Sequence, residues 1–126
     1  MTDKHLSTQF DSELTAVFAK VMELGSLVES QINLAIYALS QSSVESANQV
    51  SENEHRVNAM EMQIDRDLSS IIARRQPTAQ DLRLLIAISK TTANLERAGD
   101  EAEKIARMVR SIIRAAPSRS LPSLDL

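Results

Sequence analysis

Residues 71–100 read IIARRQPTAQDLRLLIAISKTTANLERAGD, from Ile71 to Asp100, and they join a helix end, a tight turn and a new helix. Arg74 and Arg75 carry the charge that suits a helix C-terminus. Pro77 cannot continue that helix, because it lacks an amide donor and its ring clashes with the preceding turn. Thr78 then serves as N-cap of the next helix, with Asp81 in its first turn. Beyond it, Leu85, Ile88, Thr92, Leu95, Gly99, Ala102, Ala106, Val109 and Ile113 recur at alternating spacings of four and three, which is one face of a helix.

Working backwards from Pro77, Ala47, Val50, Val57, Ile64, Leu68 and Ile71 form the stripe of a preceding helix, with Met60 alongside. Ser42 with Glu45 fits a capping box at its start. Before that short turn, Phe10, Leu14, Val17, Val21, Leu24, Val28, Ile32, Ala35 and Leu39 mark a first helix. Glycine and proline are sparse, so few residues interrupt these segments. The sequence therefore predicts helices over about 8–41, 44–75 and 79–114. Turns this short force consecutive helices to be antiparallel neighbours. The fold class is all-α: one domain over 1–115, an up-down-up, spectrin-repeat-like three-helix bundle. Residues 116–126, AAPSRSLPSLDL counted from Ala115, are rich in Ser and Pro without periodicity, and they read as a disordered tail.

Composition narrows the function. A chain of 126 residues has room for one domain with a real core. It has no cysteine, so neither disulfides nor thiolate metal sites are available. The net charge of −3 gives no electrostatic support for binding nucleic acid. No apolar run approaches the roughly 20 residues needed to span a bilayer, and residues 1–10 lack a signal core, so a cytoplasmic protein without membrane insertion is expected.

The chemistry rests on carboxylates. Glu61 and Asp65 form an E-x-x-x-D pair on the second helix, and Glu96 and Asp100 form another on the third. Residues four apart sit one above the other, so each pair presents two hard oxygen ligands in one direction. Helical phase puts Glu61 on the buried stripe, Asp65 and Glu54 on its shoulder, and Glu96, Asp100 and Glu103 beside Leu95, Gly99 and Ala102. Four or five carboxylates on one patch either bind a cation or raise each other's pKa. A solvated face, with Asp100–Lys104, Glu103–Arg107 and Glu52–Arg56 ion pairs, would give the same pattern.

Other constellations are thinner. Glu52 and His55 make one E-x-x-H, where di-iron bundles use two. His55 reads as exposed near the middle of a helix, which keeps a histidine phosphotransfer bundle as a rival function. There is no glycine-rich phosphate loop and no hydrolase triad order, so no catalytic residue is assigned. Arg83, Lys90, Arg97 and Lys104 fall seven apart, as a basic line suited to solubility or to an acidic partner.

The blocks MELGSLVESQINLAIYAL, VNAMEMQID, RQPTAQDLR and LERAGDEAEKIAR resemble the PhoU family of phosphate-signalling regulators across nearly the whole chain. The resemblance implies a pair of three-helix bundles related by an internal repeat, bearing E(D)-x-x-x-D motifs that hold multinuclear metal clusters in several members. Carried onto this chain, the implied metal ligands are Glu61, Asp65, Glu96 and Asp100, with Glu103 and Asn58 nearby. The implied ions are iron, manganese, magnesium or zinc. The implied role is not enzymatic. It is that of a negative regulator of phosphate uptake and of the phosphate-starvation response, an adaptor between the phosphate ABC-transporter ATPase (PstB-like) and a sensor histidine kinase (PhoR-like).

The chain departs from that pattern in length, since it carries one repeat where typical members have two. A truncated or degenerate half-protein acting only as a structural bundle is the alternative this raises. A three-helix unit that lacks its sister repeat exposes an apolar flank, here suggested by Phe18, Met22, Ile36, Ile86 and Ile112. A homodimer is expected.

Overall fold

The computed structural model describes residues 2–115, with side chains from residue 8 onward. Three helices make up the fold: α1 (Thr2–Gln41), α2 (Val44–Arg75) and α3 (Ala79–Ala115). Each packs against the other two. Cross-helix bonds give the register: Glu13 meets Arg74 and Arg75, Lys20 meets Asp67, and Gln31 meets Glu54. Rising numbers on α1 pair with falling numbers on α2, so the two run antiparallel. Arg110 returns α3 onto the start of α2, donating to the Ala47 carbonyl at 3.1 Å and to Ser51 Oγ at 2.7 Å. The expected tail, 116–126, lies outside the described residues. No helix among the described residues is long and apolar enough to cross a membrane.

Both turns are built from side-chain caps and left-handed residues. Ser42 adopts φ 53°, and the next amide, Ser43 N–H, reaches back to the Ala38 carbonyl at 3.0 Å, closing the end of α1. The N-cap of α2 is Ser43 rather than Ser42; its Oγ accepts from Ser46 N–H at 3.1 Å. The capping box expected from Ser42 and Glu45 is thus displaced by one residue, because Ser42 is used to reverse the chain. At the second turn Gln76 takes φ 45° and donates to the Ile72 carbonyl, while Thr78 caps Asp81 N–H at 3.3 Å, as expected. Neighbouring serines should therefore respond oppositely. Ser43→Ala is expected to cost about 1 kcal/mol by removing the cap. Ser42→Gly should raise stability by up to about 1 kcal/mol by relieving a left-handed residue that carries a Cβ. Urea unfolding midpoints of the two variants check the pair of signs.

The core divides in two. One cluster holds Phe10, Val17, Val21, Leu24 and Val28 of α1, Val57, Ile64, Leu68 and Ile71 of α2, and Leu85 and Ile88 of α3. The other is built from small residues: Ala35, Ala38, Ala47, Val50, Ala102, Ala106 and Val109. On α1 the buried stripe passes through Gln31 and Ala38, not Ile32 and Leu39; Ile32 is 38% exposed and Gln31 fully buried. Between the two clusters lies a layer made by Gln31, Glu54 and Gly99.

Candidate functional site

Each helix supplies that layer from its buried face. Glu54 sits on α2 between Val50 and Val57, and only 8% of its surface remains exposed. It lies on the core stripe itself, where the spacing from Val50 to Val57 leaves a position to be filled. Gly99 of α3 faces it: a Cβ there would lie 3.5 Å from Glu54 Oε2 and 3.3 Å from Val57 Cγ1. Glycine at 99 is thus what lets the carboxylate enter between the helices. Gln31 of α1 closes the layer, its Nε2 donating to Glu54 Oε2 at 3.2 Å.

Next to this buried carboxylate, α3 presents Glu96 and Asp100 one turn apart. One oxygen each from Glu54, Glu96 and Asp100 lies within 4.8 Å of the others. Three hard oxygen donors at that separation could share one cation. Burial, followed by a hydrogen bond to Asp100 and repulsion from Asp100, Glu103 and Glu96, pushes the Glu54 carboxyl up to about 8. Glu96 is raised too, by desolvation and then by Asp100. Glu54 Oε1, Glu103 Oε2 and Gln31 Oε1 are buried without a hydrogen-bond partner. Buried polar atoms normally find one, so the layer has unused acceptors in the place where positive charge would be best received.

The sequence-derived ligands differ in burial, although Glu61 still feels the charges of Glu96 and Asp100. Glu96 and Asp100 come together as expected. Glu61 is half-buried rather than fully on the core stripe, and desolvation followed by Asp65 raises its carboxyl. Asp65 is exposed, not on the shoulder of the buried face, and Asn58 is exposed as well. The three-oxygen cluster draws its α2 member from Glu54, which spacing had placed on the shoulder; its buried position was signalled only by its phase midway between Val50 and Val57. Glu103 is half-buried and contacts Arg107 at 3.6 Å. Lys104 pairs with Glu101 and not with Asp100, and no Glu52–Arg56 bridge forms among the described residues. The solvated ion-pair pattern therefore holds for Glu103 alone. His55 is exposed.

A PhoU domain matches residues 21–109, a span that contains the whole acidic layer. The chain belongs to the PhoU family. Relatives of this family include the phosphate-specific transport system accessory protein PhoU homolog of Burkholderia sp, 54% identical over 84% of this chain and 45% of its own. The phosphate-specific transport system accessory protein PhoU of Escherichia coli K12 is 49% identical over 83% of this chain and 44% of its own. The crystal structure of PhoU from Pseudomonas aeruginosa superposes with a TM-score of 0.81 at 44% identity, covering 84% of this chain and 51% of that one. This PhoU-family chain thus spans less than half the length of those two relatives, and its bundle matches half of a solved PhoU. By their names these relatives are accessory proteins of a phosphate-specific transport system.

Proposed function

We propose that this PhoU-family chain is a cytoplasmic adaptor of phosphate homeostasis, which restrains phosphate uptake and the starvation response by contacting the phosphate ABC-transporter ATPase and a sensor histidine kinase. Its acidic layer takes up a divalent or iron-type cation. The observation that carries the cation reading is the convergence of Glu54, Glu96 and Asp100 around buried, unpartnered oxygens, in a layer that three helices share. The donor set is all oxygen, which suits manganese, magnesium or iron better than a thiolate-seeking ion. Glu61 and Asp65 extend the acidic row along α2 and offer a second, more exposed pair. A cation there ties α2 to α3, and so couples metal occupancy to the shape of the surface that a partner would meet.

The adaptor reading is tested by pull-down of the purified transporter ATPase and of the kinase's cytoplasmic part, with and without phosphate. Phosphate-dependent retention of either is expected; failure to retain both would leave a bundle with a structural role only.

The exposed face of α1 supports self-association. Phe18, Met22, Glu29, Ile32 and Ile36 lie on it in heptad spacing, with half-buried Gly25 at the step between Met22 and Glu29; Met22 is 70% and Ile36 46% exposed. The spacing is palindromic about Leu27, so an antiparallel copy would set Phe18 against Ile36, Met22 against Ile32, and Gly25 against Glu29. Sedimentation at micromolar concentration should give a dimer, and Met22→Glu with Ile36→Glu should give a folded monomer; a monomeric parent protein would refute the seam.

A further inference from the structure

Gln31 is a polar residue on the core stripe of α1 and has no surface exposed. Its amide donates to Glu54 Oε2, and its own Oε1 has no partner. A glutamine held in this way leaves one buried acceptor unpaired, which an apolar core residue would not. Its effect falls on Glu54. Oε2 accepts from the Gln31 amide and lies beside Gly99, while Oε1 is buried next to the acidic groups of α3.

We infer that Gln31 is a positioning residue for the acidic layer: it clamps Glu54 through Oε2, so that this carboxylate is presented with Glu96 and Asp100 as one preorganised set of cation ligands. The residue type follows from the task. A donor favours the ionised carboxylate, the form a cation needs. A neutral amide does so without the positive charge of a lysine or arginine, which would compete with the cation. The amide also brings α1 into a site whose ligands come only from α2 and α3. Cation binding is then felt by all three helices. Outer partners of this kind orient the ligand that touches the metal, and their loss weakens metal binding by about 10–100-fold.

The role presupposes that the layer binds a cation, and the experiment separates the two. Mn(II) is titrated into the full chain at pH 7.5, with free Mn(II) followed by electron paramagnetic resonance, and thermal unfolding is recorded with and without the ion. Gln31→Met keeps the volume and removes the donor. It is expected to weaken Mn(II) binding by about 10–100-fold. Gln31→Asn, which keeps the amide but withdraws it by one methylene, should weaken binding in the same direction and guards against misfolding of the first variant. Equal Mn(II) affinity in the parent and both variants would overturn the positioning role while leaving the cation site standing. A purely structural role is shown by a lower metal-free unfolding temperature with unchanged affinity, and also overturns it. No Mn(II) binding by the parent overturns both.

Discussion

Glu54→Gln is expected to make the metal-free protein more stable at pH 8 by about 2–4 kcal/mol, while changing its stability at pH 5 little. Glu54 is raised from 4.5 to about 8 in the fold, first by burial and then by Asp100. Between those values the folded chain keeps a proton that the unfolded chain has released. The stabilisation is thus fully present below about pH 4.5 and is lost as pH rises through about 8, at no more than about 1.4 kcal/mol per pH unit. Glu61 and Glu96 are raised as well and act in the same direction. Glu13 and Asp67 act in the opposite one. Hydrogen bonds from Arg74 and Arg75 hold Glu13 low, and one from Lys20 holds Asp67 low. Their contribution is present above the ordinary carboxylate range and is lost as pH falls through their folded values. The metal-free protein should therefore be most stable in mildly acidic solution. Glutamine at 54 keeps the shape, removes the titration and flattens the alkaline limb. It should also remove the stabilisation that Mn(II) gives the parent. Urea denaturation at pH 5, 6.5 and 8 reads all of this, and a parent profile that is flat from pH 5 to 8 would contradict it.

Ile64→Ala is expected to lower stability by about 2–5 kcal/mol, the usual cost of emptying a fully buried aliphatic position that its neighbours cannot refill. Ile64 has no exposed surface and sits in the large-residue half of the core with Leu24, Val57, Leu68 and Leu85. Small domains are stable by only about 5–15 kcal/mol, so the loss is a large share. At about 4–8 °C per kcal/mol, the melting temperature should fall by at least about 8 °C. Calorimetry on the variant decides it, and a fall of less than about 3 °C would mean that the core collapses around the gap. Exposed Ile86, truncated in the same way, should change stability by no more than about 0.5 kcal/mol. The pair separates core from surface.

Much of this was legible in the chain. The three-and-four spacing, Pro77 with Thr78, and the arginines before them mark three helices and a tight turn without reference to any partner, because those signals are properties of one segment and its own backbone. The wording of RQPTAQDLR and LERAGD carries the PhoU family, and the Glu96–Asp100 pair lies within it. The carboxylate that completes the cluster was not legible. Spacing offers α1 two phases after Val28: one through Ile32 and Leu39, the other through Gln31 and Ala38. Apolarity favours the first, and the fold takes the second, with Gln31 and Ala38 fully buried and Ile32 38% exposed. Glu54, likewise, looks like a poor core residue until Gly99 is set opposite it. Neither choice belongs to a single helix. Periodicity fixes which residues share a face, whereas the phase of that face and the partners it meets depend on all three helices packing at once. The sequence by itself determined the helices, their order and their family; the tertiary structure alone decided that Gln31, Glu54 and Gly99 form the layer beside Glu96 and Asp100, since a buried charge is tolerated only where its neighbours, far off in the chain, accommodate it.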